Sequence, residues 1–313
     1  MLILLELSFI MDKTKRGIAL FITLMVIASI MSIIAVSFTY LEKVQKDAGA
    51  TSAILQGNLL QKNTVNILKR FFPQGKDNSE KLKLIYTMPL MLSEAKSGFG
   101  LNLSCKPLMV GVPISWLDNS LFAKTPKKAV LAKKILTLVM EYYDVQEPNE
   151  LERLILQAVT GKVSQNEDDA PRIKSKKGVV SISQFDRIIS DYRLQFDDPK
   201  VLLVPWERYF SFTKVDNKTQ IDGAYLSPEF ISVAFEVPIE IVQEGWIIGE
   251  TTLQSFLTEN SIMEPIDKNI YSNKALNAMH CEETYAYRDG QYKMNFDYIE
   301  GRSGNFEFNG KAE

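Results

Sequence analysis

From Ile18 to Leu41 the chain holds 24 consecutive positions without a charged side chain, and the next charge is Glu42. About 20 apolar residues in a row span the hydrocarbon core of a bilayer, so this run predicts a membrane-crossing helix. The helical pattern does not stop at the charge. No proline follows until Pro73, and Val44, Ala48, Leu55 and Leu59 recur near helical spacing, with Leu60, Ile67, Leu68 and Phe71 further on. Gly49 and Gly57 weaken such a helix without ending it. From Ile18 to Phe72 it would rise about 80 Å at ~1.5 Å per residue.

Beyond "PQGKDNSE", a stretch of turn formers, the pattern changes. "KLKLIYTMPLML" and "GFGLNLSCKPLMVGVPI" read as short strands broken by Pro89, Gly98, Gly100 and Pro107. A block of helices follows. Residues 126–143 put Val130, Ile135, Leu138 and Val139 on an apolar face. "NELERLILQAV" offers Asn149 as a cap with Glu152 three positions on, and "SQFDRIISDY" offers Ser183 and Asp186 in the same roles. Asp198–Pro199 and Ser227–Pro228 each pair a capping side chain with proline at the first helical position. "PIEIVQEGWI" and "TTLQSFLTEN" add two short helices. The tail then alternates with a period of two. Asp289-Gly290 predicts a hairpin, with Tyr292, Met294, Phe296 and Tyr298 on one face and Lys293, Asn295 and Asp297 on the other. Gly301–Gly304 turns into a last strand around Phe306 and Phe308, whose aromatics suit the buried face of a sheet.

Composition adds limits. With 46% apolar and 24% charged residues over 313 positions, the part after the apolar run is long enough for one or two globular domains. The formal charge of −2 gives no basic footprint for nucleic acid. No nucleophile elbow, Walker loop or paired-histidine motif is present, and His280 is the sole histidine. His280 beside Cys281 supplies too few ligands for a closed metal site. Cys105 and Cys281 are the only cysteines. An oxidising compartment allows them to pair, but no spacing rule applies across 176 positions, and two separate thiols is the reading favoured here.

The N-terminal boundary carries the most specific signal. Lys13, Lys15 and Arg16 precede the apolar run, which puts its N-terminal side in the cytoplasm by the positive-inside tendency. No persuasive signal-peptidase site follows the run. Instead "KTKRGIALFITLMVIASIM" resembles the type III signal of type IV pilins and pseudopilins. The resemblance implies that a prepilin peptidase cuts after Gly17, leaving Ile18 as a first mature residue with a methylated amine. Glycine suits this because it lets a membrane peptidase approach the backbone closely. A leader of this kind starts at Met11, which makes "MLILLELSFI" an over-long start. The first 17 residues carry three bases and two acids, so the product beginning at Ile18 has a formal charge of −3. Major pilins carry Glu at the fifth mature position, where it meets a neighbour's amine. Here that position is Ile22. An acid at membrane depth costs about 2.5–3.5 kcal/mol on insertion scales and is kept only where a partner exists. Its absence resembles the protein K family of the type II secretion system, minor pseudopilins at the fibre tip.

That resemblance implies an α+β fold: a long N-terminal transmembrane helix as spine, and a small α/β head with an antiparallel sheet and a large inserted all-helical region. The implied division is a leader over 1–17, a membrane helix over 18–41, its periplasmic continuation over 42–72, first strands over 73–119, the helical insert over 120–258 and closing antiparallel strands over 259–313. Ile221, Asp222, Ala224 and Glu229 fall loosely near a helix-start motif of the family, without its asparagines. The implied protein is not an enzyme. It is a tip subunit in the bacterial inner membrane, single-pass, with a cytoplasmic N-terminus and its bulk in the periplasm. Its implied partners are the I- and J-type minor pseudopilins, the major pseudopilin, the prepilin peptidase and the inner-membrane assembly platform. The family also holds calcium, and Glu167, Asp168 and Asp169 in "SQNEDDAPR" are the candidate ligands. Calcium takes six to eight oxygens, so three adjacent acids need help from elsewhere, and a solvated loop is the reading those residues favour on their own. Two other functions stay open at this point, a pseudopilin of a DNA-uptake machine and a membrane-anchored periplasmic enzyme.

Overall fold

The computed structural model describes residues 2–94, 99–122, 125–161, 178–263, 265–287 and 290–311. It contains two compact units, Met1–Asn58 and Leu59–Glu313. The first consists of helix α1, which runs Leu2–Phe71 and so continues into the second. Its stretch from Thr23 is long and apolar enough to cross a membrane. Four hydroxyls in that run are spent inside the helix. Ser29, Ser32 and Ser37 donate to the carbonyls of Met25, Ala28 and Ile33 at 2.8–2.9 Å, and Thr39 donates to Val36 at 2.8 Å. These four side chains therefore need no water, which is what a lipid or helix-bundle setting requires.

In the second unit the last turns of α1 lie on a five-stranded antiparallel sheet. Its strands are β1 (Leu90–Glu94), β2 (Phe99–Pro107), β5 (Ala278–Tyr287), β6 (Gly290–Ile299) and β7 (Arg302–Lys311), in the order β1-β2-β5-β6-β7. Between β2 and β5 the chain leaves the sheet. It forms β3 (Val112–Pro113), α3 (Pro126–Tyr142), α4 (Pro148–Thr160), α5 (Ile182–Phe196), α6 (Trp206–Tyr209), β4 (Phe210–Ser211), α7 (Pro228–Phe235), α8 (Ile239–Gly245) and α9 (Leu253–Glu259). These helices share one core, with Trp116, Ile135, Phe185, Tyr192, Phe230 and Phe256 all buried. Residues 265–277 stay with it, since Tyr271 joins that core and Ile221 donates its N–H to the Ile270 carbonyl. The fold is α+β, a small sheet carrying a large helical insert.

Local capping chemistry explains some of the element ends. Ser227 accepts a hydrogen bond from the Phe230 N–H at 3.1 Å with Pro228 behind it, and Asp198 accepts from Lys200 N–H at 3.0 Å. Several predicted details are corrected. "KLKLIYT" is not a strand but the core of helix α2 (Ser79–Thr87). Its Leu82 and Ile85, three apart, are buried against the sheet, and β1 starts only after Pro89. Helix α4 begins at Pro148 with Glu147 at the cap position, ahead of Asn149, because proline at the first position needs no N–H partner. Helix α5 begins at Ile182 with Ser181 at the cap position, ahead of Ser183. Val130 is exposed; Ala129, Ala132, Ile135, Leu136 and Val139 form the inner face of α3, with Lys128 among them. That lysine is tolerated because its ammonium donates to the carbonyls of Asn217 and Thr219 at 2.9 and 2.6 Å and lies 4.8 Å from the Trp116 ring. On α1 the sheet-facing residues are Thr64, Val65 and Leu68, followed by Phe72, whereas Leu55, Leu59, Ile67 and Phe71 are exposed.

Gly111 sits where the insert leaves the sheet. A Cβ there would lie 2.2 Å from the Tyr209 carbonyl oxygen and 2.5 Å from its carbon, both backbone atoms. Gly111→Ala therefore forces β3 and β4 apart and is expected to cost about 1–3 kcal/mol, as overpacking does. Denaturant unfolding of the purified chain measures it, and an unchanged midpoint would show that the seam can yield.

Candidate assembly surface and the joints of the head

Four consecutive residues of α1, Leu24, Met25, Val26 and Ile27, are each at least half exposed. Four successive positions cover the whole circumference of a helix, so this segment is apolar all round and needs lipid or other helices on every side. Gly17, Ile18 and Ile22 fall inside α1. Glu167, Asp168 and Asp169 lie outside the described residues. Among the described residues no group of three or more His, Cys, Asp or Glu is placed to hold a metal.

The head's polar chemistry concentrates where insert and sheet meet. Period-two alternation turns Asp297 away from the apolar face of β6, yet it is buried, because the insert covers that side. Its carboxylate receives His280 Nδ1 at 2.8 Å on one oxygen and Thr213 Oγ1 at 2.7 Å on the other. Asn305, held at φ 49°, donates from its amide to the same carboxylate, to Thr213 Oγ1 at 3.1 Å and to the Val180 carbonyl at 3.0 Å. Asparagine is among the few residues that take this left-handed backbone readily. The carboxylate stands between imidazole and hydroxyl. Nucleophilic catalysis instead needs the base against the hydroxyl and the carboxylate behind the base. What this group does is fasten Thr213 and Val180 of the insert to β5, β6 and β7. A cleft of about 830 Å³ opens beside it, lined in part by Lys218, Asn277, Glu300 and Arg302.

Asp222 fastens the second place. It is fully buried, and burial pushes its carboxyl up to about 7, against the pull of the N–H groups of Ala224, Leu276 and Tyr225. Those of Ala224 and Leu276 donate at 2.9 Å each, and Asp222 donates its own N–H to the Met109 carbonyl at 3.1 Å. Met109 and Leu276 lie on the two passages between sheet and insert, so one residue ties both. Of its neighbours near the family-like motif, Glu229 pairs with Arg208.

The cysteines are corrected. They form a disulfide, Cys105–Cys281, because β2 and β5 bring them directly opposite each other with Cα atoms 4.1 Å apart. The bridge joins the strands before and after the insert. On the same face of β5, two residues further, Glu283 is completely buried beneath α1. Neither Glu283 nor Asp297 is marked by a motif. The signal for Glu283 is positional: with Cys281 and Tyr285 it shares the alternating apolar face of one strand.

No protein-family model matches this sequence, and no curated protein sequence matches it. In fold it is similar to a chain of the GspK-GspI-GspJ complex from the type 2 secretion system of enterotoxigenic Escherichia coli, known from a crystal structure. The superposition has a TM-score of 0.55 at 11% identity and covers 87% of this chain and 99% of that one. The protein has a GspK-like fold: an apolar N-terminal helix, an antiparallel sheet and a helical insert between its second and third strands in spatial order.

Proposed function

We propose that this protein is a minor pseudopilin at the tip of a type II secretion pseudopilus, which binds other minor pseudopilins and starts fibre assembly for protein export. The observation that carries the reading is the fold likeness over 99% of a chain from a pseudopilin complex, joined to a helix that is apolar on every side. That neighbour assembles with two siblings, and α1 offers this chain the same means. In lipid, close van der Waals packing of such side chains, not exclusion of water, holds helices together. Ile22, five residues into the product that starts at Ile18, supports a place with nothing stacked above it. The disulfide supports a head outside the reducing cytosol, where such bonds persist. In this reading the work is binding, and the chain performs no chemistry of its own.

The test is at the glycine. Gly17→Val is expected to leave the leader attached, seen as slower gel mobility, and to cut exoprotein release at least tenfold, whereas N-terminal sequencing of the wild type begins at Ile18. A wild-type protein that keeps its basic leader, with secretion indifferent to Gly17→Val, removes the reading.

A further inference from the structure

The joint between α1 and the sheet is apolar except where Glu283 meets Thr64. Val65 and Leu68 of α1 and Leu82 and Ile85 of α2 cover Leu103, Met294 and the disulfide. Glu283 lies among them, opposite Leu103 on β2 and Met294 on β6. It is 0% exposed, and neither carboxylate oxygen closes a well-formed hydrogen bond. The Thr64 hydroxyl of α1 is turned toward it and offsets the burial only in part. Among the described residues no cation stands opposite. Lys62, Lys69 and Arg70 of α1 are exposed, and Lys81 of α2 donates to the Phe71 carbonyl at 2.8 Å. Glu282 and Lys293 pair with each other at 2.6 Å, and both alternate away from Glu283 along their strands. The titratable groups that do face it are phenols, Tyr285 on its own strand and Tyr292 on β6.

A carboxylate in such a place is an uncompensated buried charge, which proteins relieve by binding a proton or by opening. We propose that Glu283 is a proton-operated latch between the last turns of α1 and the sheet, closed while the side chain is a neutral acid and loosened when it ionises. Burial raises the carboxyl from 4.5 to about 7. The folded state therefore holds this proton more tightly than the unfolded one, and the contribution is fully present below about 4.5. It falls as pH rises through about 7 and stays lost above.

The experiment is hydrogen exchange on the full chain in detergent, following amides of residues 59–71, corrected for intrinsic exchange, from about pH 5.5 to about pH 8. Wild-type protection is expected to fall about thirtyfold, tenfold for each unit below the midpoint near 7. Glu283→Gln is expected to keep its protection flat across the range. Where Glu283→Gln does not fold, Glu283→Met fills the site without charge and takes its place. An infrared band of a protonated carboxyl, absent from the variant, should titrate in the wild type near 7. Equal pH profiles in wild type and variant, or a band that titrates in the ordinary carboxylate range, overturns the latch.

Discussion

Replacing both cysteines by alanine, Cys105→Ala with Cys281→Ala, lowers the free energy of unfolding by about 2–5 kcal/mol. The bridge closes a loop of 176 positions, long enough that chain entropy alone predicts an effect near the upper end. The loop holds the whole insert. Cutting it frees the unfolded chain more than the folded one, because β2 and β5 stay paired by backbone bonds in register from Leu101 to Pro107. Both sulfurs are buried, Cys281 at 0% and Cys105 at 4%, so reductant should act slowly on the native protein and quickly once denaturant opens it. Alanine is the better replacement. A serine pair would bury two hydroxyls under α1 and add a desolvation cost of about 1–3 kcal/mol each. The measurement is the denaturant midpoint of the wild type with and without reductant, beside that of the double variant. Coincident midpoints in all three would show that the cysteines are not bridged.

The sequence shows its local periods well and its cross-chain coincidences badly. The run from Ile18 to Leu41, the caps at Asp198 and Ser227 and the alternation of β6 are each decided within a few residues, by hydropathy or by a hydrogen bond to a near neighbour. Helix α2 was misleading because Lys81-Leu82-Lys83-Leu84 alternates like a strand. The pair that wins is Leu82 and Ile85, which a helix stacks on one side and the sheet buries. Alternation states which side of a strand is polar without stating what lies over it. That is why Asp297 reads as a solvent-facing acid when the insert covers it. The cysteine pair depends on the register of β2 against β5, two strands that the whole insert separates. The N-terminal signal lies at the opposite extreme. The roles proposed for Gly17 and Ile22 rest on position in a short linear motif alone, and folding adds nothing to them.

Asp297→Ala is expected to lower stability by about 2–4 kcal/mol and to act where insert meets sheet. Removing the carboxylate leaves the buried Thr213 hydroxyl and part of the Asn305 amide without their acceptor, and each unsatisfied buried group costs about 1–3 kcal/mol. His280 is a third exposed and can turn to water, so it adds little. Thr213→Val deletes one donor while keeping the shape, and the carboxylate still has Asn305 and His280. Its cost should stay near 1 kcal/mol. Together the two substitutions should cost less than their sum, with a coupling of about 0.5–3 kcal/mol, since valine removes the very donor that Asp297→Ala orphans. Asp222 offers the contrast, because it holds the two passages of the chain by backbone N–H groups and sits in a separate network. Asp297→Ala combined with Asp222→Asn should therefore come closer to additivity. Denaturant midpoints for the set decide it. A fully additive Asp297–Thr213 pair would mean that the bond between them does not fasten the insert to the sheet.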